Sequence, residues 1–289
     1  MTFSQKLISV EFTLTTGTFL GGAQGSNSSG DLTGHRVSAR ILKSGGQGMG
    51  QAEVAIYGLP LDMMNRLTTL GKQRNFFDKN IITIKAGDTP GKLPVIFKGN
   101  ITTCFADMRA MPEVCLRVSA HAGMLGAVQP PEPISMSGSV DVAQVMGTIC
   151  KKMDLTLENN GVSCKIKNLY LPENPRGQAL QLAQMANINW LIDGDKLAIW
   201  NKGESRKGSV PLISPETGMV GYPAYTSSGL EITTAYDPSI IPGGAVEVKS
   251  DLTPACGKWN VFNLEYQLDS LVPRGKWFNK FDAQSLGAL

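Results

Sequence analysis

The sequence predicts a mainly β protein interrupted by an α+β insert, in the chain order β, α/β, β. Three observations carry this. Only 18% of the 289 residues are charged, while Gly occupies 32 positions and Pro 16, a composition of short strands and turns rather than long helices. Short runs of alternating polarity fill residues 1–128 and return after about residue 209, the pattern of half-buried strands. Between them, after Gln129, Pro130, Pro131, Glu132 and Pro133, the apolar period changes from two to that of a helix. The length allows two or three modest domains, each with its own core, and the boundaries read as 1–128, 134–202 and 209–289.

In the first segment Ile8, Val10, Phe12 and Leu14 alternate with Ser9, Glu11 and Thr13. This is a half-buried strand and not the apolar centre of a secretion signal, which Glu11 would interrupt. Val37, Ala39 and Ile41 alternate with Arg36, Ser38 and Arg40, and Val54 and Ile56 with Glu53, Ala55 and Tyr57. Further strands are expected at 80–86, 93–98, 101–105 and 114–119, each bounded by Gly, Pro or Asp, as in a meander, sandwich or barrel. Leu61, Met64, Leu67 and Leu70 have helical spacing, with Pro60 before them and Gly71 where a C-terminal cap belongs. This helix is expected to plug the end or side of the β structure.

In the insert, Val142, Val145, Met146, Ile149 and Met153 form an apolar helical face, with Ser137 or Ser139 as N-cap. A short strand pair is expected at 155–157 and 164–166. Asn174 and Pro175 supply the cap and first-turn proline of a second helix carrying Ala179, Leu182, Ala183 and Ala186. Residues 190–200 read as a hairpin turning at Asp193-Gly194. After a polar linker at 201–208, Leu230, Ile232, Thr234 and Tyr236 line one strand. Strands at 245–249, 262–268 and 276–281 follow. The stretch LVPRG at 271–275 looks like a protease-cleavage sequence, but strand-like sequence continues beyond it, and it reads as native.

The chemistry classes narrow quickly. Lys plus Arg is 27 and Asp plus Glu is 24, a net charge of +3, without the basic excess of a dedicated nucleic-acid binder. Five cysteines with no CxxC pair, and only His35 and His121, support neither a disulfide framework nor a zinc site; free, mostly buried thiols are expected. No window approaches the ~18 consecutive apolar residues of a membrane span. GxSxG does not occur, and the glycine run at 45–50 has no following helix to cradle a phosphate, so it reads as a hairpin tip. Asp107 with Glu113, and Asp193 with Asp195, are the carboxylate pairs to consider for glycoside hydrolysis. They sit in turn-like sequence and read as solvated. Arg36, Arg40, Lys43, Arg206 and Lys207 likewise read as solvated faces. No catalytic, metal-ligating or cofactor-binding residue emerges.

Three stretches in order resemble the hub proteins of phage tail baseplates and related contractile injection machines. The first is residues 52–61 (AEVAIYGLPL) with the helix at 63–70, the strand at 81–87 and 95–99 (VIFKG). The second is the two-helix insert with its 190–200 hairpin. The third is 229–232 (GLEI), 236–250 (YDPSIIPGGAVEVKS), 259–269 (WNVFNLEYQLD) and 275–277 (GKW). The resemblance implies two tube-type β-barrel domains bracketing a small α/β domain. It implies a homotrimer whose six barrels form a pseudo-hexameric ring, joining a six-fold tail tube to a three-fold spike or tip. The implied partners are a tail tube or distal tail protein, a spike or tip protein and the tape measure protein, with no cofactor, no stable nucleic-acid binding and no membrane span. The expected location is the virion tail, after assembly in the host cytoplasm. Such a role needs self-complementary edges and end loops rather than a pocket. The loop residues Gly21, Gly22, Asn27, Gly45, Gly46, Gly48, Met49 and Gly50 are the candidate subunit contacts. The alternative is a peptidoglycan hydrolase or a glycan-binding tail protein using the α/β insert.

Overall fold

A computed structural model of the chain describes residues 5–14, 29–46, 48–68, 80–89 and 91–285. The protein is mostly β and divides into two compact units. One gathers residues 1–42, 51–122 and 266–277, the other residues 43–50, 123–265 and 278–289.

The first unit contains β1 (Gln5–Thr13), β2 (Ser29–Leu32), β3 (Val37–Ser44, as far as Leu42), β4 (Gln51–Tyr57), α1 (Leu61–Leu67), β5 (Ile81–Thr89), β6 (Val95–Asp107) and β7 (Cys115–His121). Its strands lie in the order β3-β4-β7-β6-β5-β1-β2, every pair antiparallel. Alternation sets the faces: Ile8, Val10 and Phe12 of β1 and Ile82, Ile84 and Ala86 of β5 are fully buried. A one-residue slip would turn each set into water. The segments expected separately at 93–98 and 101–105 are one strand, β6, with an irregularity between Ile101 and Thr103. Gly99 does not break it. A Cβ there would lie 2.8 Å from the His121 carbonyl oxygen, so glycine permits the close approach of β7. Helix α1 buries Met64 and Leu67, while Leu61 is exposed. Leu70 and Gly71 lie outside the described residues, and the helix ends at Thr68 in extended conformation.

The second unit begins with α2 (Met124–Val128), β8 (Ile134–Asp141), α3 (Val142–Lys152), β9 (Thr156–Asn159), β10 (Lys165–Leu171), α4 (Pro175–Ala186), β11 (Ile188–Asp193) and β12 (Lys196–Asn201). Helices α3 and α4 share a core with the β8–β10 pair and the β9-β12-β11 sheet, centred on Met146, Ile149, Leu171, Leu182 and Leu197. Asn174 caps α4 as expected, accepting from Gly177 N at 2.8 Å with Pro175 in the first turn. The cap of α3 is Asp141, accepting from Gln144 N at 3.0 Å. Ser137 and Ser139 are unavailable because β8 runs through them. The expected strand pair does not form. β9 joins β12 in parallel, and β10 joins β8 antiparallel. The 188–201 hairpin forms with Asp193 paired to Lys196, so its two-residue loop is Gly194-Asp195, one position later than expected.

The unit continues through β13 (Leu212–Ile213), β14 (Ala224–Thr226), β15 (Gly229–Ala235), β16 (Ala245–Val248), β17 (Gly257–Ser270) and β18 (Trp277–Ser285). Strands β17 and β18 each contribute residues to both units. The order is β14-β15-β18-β17, with β16 also on β17 and β13 parallel to β16. Leu230, Ile232 and Thr234 are buried on β15, and Tyr236 lies just past its end. The 271–275 stretch is the turn between β17 and β18, closed by Asp269 N donating to the Lys276 carbonyl at 2.7 Å.

Candidate functional site

The second unit contains a largely buried network of four charges. The Arg206 side chain is 4% exposed. Its Nε and Nη2 donate to the two oxygens of Glu158, at 3.0 and 3.1 Å. Its Nη1 donates to Asp193 Oδ2 at 3.2 Å and to the Pro242 carbonyl at 3.0 Å. Lys43 Nζ donates to Asp193 Oδ1 at 2.7 Å. Two cations meet two anions, and the bidentate arginine fork is the strong form of such contacts. Burial alone would raise the Asp193 pKa, but the charges of Lys43 and Arg206 and their hydrogen bonds outweigh it and hold the carboxyl at about 2. Burial also opposes ionisation of Glu158, and the Arg206 hydrogen bond again wins, leaving its pKa lowered.

This network corrects two expectations. Arg206 and Lys43 are not solvated faces, and Asp193 is not a solvated turn residue. Arg206 stands in the 201–208 linker and ties β9, β11 and the loop before β16 together, its own N–H donating to the Gly243 carbonyl at 2.7 Å. Sequence reasoning missed it because nothing local marks it. Its partners lie 48 and 13 residues away, and Lys43 reaches Asp193 across 150.

Asp107 is also no solvated turn residue. It ends β6 with its side chain 8% exposed and accepts from Arg109 Nε and Nη2 at 2.9 and 2.8 Å and from Arg117 Nε at 2.6 Å. These hydrogen bonds hold its carboxyl well below the usual carboxylate range. Glu113 pairs with Arg36 at 3.3 Å, and Arg36 stacks over Tyr57 at 4.3 Å. A glycosidase needs one carboxyl with a raised pKa as proton donor. Asp107 and Asp193 are both shifted the other way. Among the described residues, no group of three or more His, Cys, Asp or Glu is placed to hold a metal ion. His35 Nδ1 donates to the Tyr57 carbonyl at 3.2 Å, and His121 Nδ1 lies 3.4 Å from Thr102 Oγ1. Cys104, Cys115 and Cys150 are buried free thiols, and burial pushes Cys104 up to about 12.

Of the candidate contact loops, Gly21, Gly22 and Asn27 lie outside the described residues. The 45–50 loop belongs to the second unit and is anchored there. Gly46 N donates to the Trp190 carbonyl at 3.0 Å, and Arg176 Nη2 donates to the Gly48 carbonyl at 3.0 Å while its guanidinium lies 5.5 Å from the Trp190 ring. Gly45 and Gly48 are exposed, Gly46 and Met49 half-buried, and Gly50 buried. Two clefts of about 250 and 270 Å³ flank Gly46 and share Asn189 and Trp190 as walls. Among the described residues neither is lined by a carboxylate, and Lys202 is the one charged lining residue.

The family described as Baseplate hub gp41 matches residues 11–278. No curated protein sequence matches the chain. Among solved structures it is similar to the tail protein from Neisseria meningitidis MC58, at a TM-score of 0.61 and 9% identity over 97% of each chain. It is similar to the 43 kDa tail protein of prophage MuSo2 from Shewanella oneidensis, at 0.58 and 11% identity over 95% of this chain and 98% of that one. It is also similar to the E. coli c3393 protein, at 0.60 and 10% identity over 88% and 74%. That protein is a component of the type VI secretion system with structural similarity to the T4 tail proteins gp27 and gp5. At these identities the likeness is one of fold.

Proposed function

Because the chain belongs to the Baseplate hub gp41 family, we propose that it forms the homotrimeric hub joining a hexameric tail tube to the central spike or tip. The chain is a structural component of a phage tail baseplate. The carrying observation is the family match over residues 11–278, which takes in both β-rich segments and the α/β region between them. In this reading 1–128 and 209–289 are tube-type barrels and 134–202 is the inserted α/β domain. Three copies supply six barrels and so meet a six-fold tube, while the chain itself repeats three times towards the spike. One face meets a tail tube or distal tail protein, the other a spike or tip protein, and the tape measure protein is a further partner. Assembly takes place in the host cytoplasm.

The loop at 45–50 is a subunit contact in this proposal, and its bonds to Trp190 and Arg176 support that role. Backbone groups at Gly46 and Gly48 that are already bonded leave less of the loop to order on binding. The Arg206 network supports the reading differently, because it ties the linker to the elements on either side of it. The family and the similar solved structures are tail and secretion-machine components, and the protein is expected to act by assembly rather than turnover. Mass measurement of the purified chain by light scattering tests this, with a trimer expected. A monomer at every concentration, together with clearing of a peptidoglycan zymogram, would replace the hub with a hydrolase.

A further inference from the structure

The cleft of about 250 Å³ beside Gly46 is lined by residues of the second unit alone. Strands β11 and β12 set Asn189 opposite Trp200, β17 supplies Asn260, Phe262 and Asn263, and β18 supplies Gln284. Four lining residues are therefore carboxamides, two of these six are aromatic, and among the described residues no charged side chain lines this cleft. Gly243 completes the lining with a φ of +78°, and a Cβ there would lie 2.7 Å from the Trp200 ring. Only glycine allows both that backbone and that approach.

Two buried polar groups of this lining have no hydrogen-bond partner among the described residues: the donor Trp200 Nε1 and the acceptor Asn260 Oδ1. Trp200 is 5% exposed and Asn260 8%. The other end of the Asn260 amide is used, since Nδ2 donates to the Glu204 carbonyl at 3.2 Å. Buried groups left unpaired cost stability, and native folds keep few of them. Here one donor and one acceptor belong to the same cleft.

We propose that this cleft binds a neutral sugar ring. A hydroxyl accepts and donates at once, and so answers an unpaired indole N–H and an unpaired amide oxygen together. Carboxamides share that double character and suit the remaining hydroxyls. An ionic ligand would leave water without meeting a counter-charge, while aromatic lining suits the C–H face of a sugar. The volume falls just under the ~300–1,000 Å³ of sites for drug-sized ligands, room for one ring. Glycoside hydrolysis uses a pair of carboxyls, and the described lining supplies none, so the site is one of binding. The proposal concerns one unit of one chain and does not rest on the hub reading. Gly45 and Gly46 line the cleft, whereas the exposed Gly48 does not and is left for a subunit contact.

Saturation-transfer NMR on the full-length protein tests this with glucose, galactose and N-acetylglucosamine, each as the free sugar. At least one is expected to bind with a Kd on the order of 1 mM, the range open to so small a ligand. Trp200→Phe keeps an aromatic ring and removes the N–H, and should weaken binding about tenfold. Gln284→Ala, at a half-buried position, should weaken it about three- to tenfold with the melting temperature unchanged, and it serves if Trp200→Phe fails to fold. Binding of none of the three sugars overturns the proposal, as does binding of equal strength in parent and variants. So does a crystal grown with the sugar that shows an ordered water only in the cleft. A trimer that binds none of them sinks this site and leaves the hub reading standing, and a monomer that binds one through Trp200 does the reverse.

Discussion

Replacing Arg206 with alanine removes the one cation that Glu158 and Asp193 share. Three charge-assisted hydrogen bonds to carboxylates and one to the Pro242 carbonyl disappear. Lys43 still neutralises Asp193, but Glu158 is left partly buried beside Asn160 with no arginine. Breaking a buried pair by deleting one partner costs about 3–5 kcal/mol. Against a total stability on the order of 5–15 kcal/mol that is about a fifth or more. For a unit of this size each kcal/mol moves the melting temperature by about 2–4 °C, so a fall of roughly 6–20 °C is expected. Thermal melting by circular dichroism, with urea unfolding as a second measure, reads it. A companion variant, Arg206→Met with Glu158→Leu and Asp193→Leu, removes both anions with the cation and should recover part of the loss, leaving the cost at Lys43. A loss below about 1 kcal/mol for Arg206→Ala would refute the argument, placing Arg206 with ordinary surface pairs.

The same network predicts acid sensitivity. Asp193 has a folded pKa of about 2 against an ordinary 3.8, so its contribution, about 2 kcal/mol, is full above about pH 4 and lost as pH falls towards 2. Urea midpoints measured from pH 6 to pH 2 should show this fall, and Asp193→Asn should flatten it; an unchanged slope would contradict the assignment. Gly99→Ala places a methyl 2.8 Å from both the His121 carbonyl oxygen and Phe97 Cζ, for an expected loss of about 1–3 kcal/mol by overpacking; a neutral result would mean β6 and β7 separate easily. Asn174→Ala removes the α4 cap and should cost about 1 kcal/mol, with Asn174→Ser retaining most of it; equal losses in both variants would point to the other bond of Asn174, to the Ala127 carbonyl.

Local chemistry made most elements legible. Alternation marked β1, β3, β4 and β15, and Asn174-Pro175 marked the start of α4. Errors arose where a distant residue decides. Gly99 looks like a strand end until the His121 carbonyl is beside it. Residues 155–157 and 164–166 look like partners because they are neighbours in sequence, yet β12 and β8 compete for them and win with longer registers. Five-residue α2 left no periodic trace, opening on Gly123 in the left-handed region and using Gly126 to make room for Met153. The charge network was invisible for the same reason. A linker Arg-Lys pair carries no sign that two carboxylates and a carbonyl wait for it.

The central claim is that three copies of this chain form the ring between tail tube and spike. Electron microscopy of the purified full-length protein, with class averages sorted by symmetry, tests it most directly. The account predicts closed three-fold rings with six similar lobes. Particles of monomer size, or rings of any other symmetry, would contradict it.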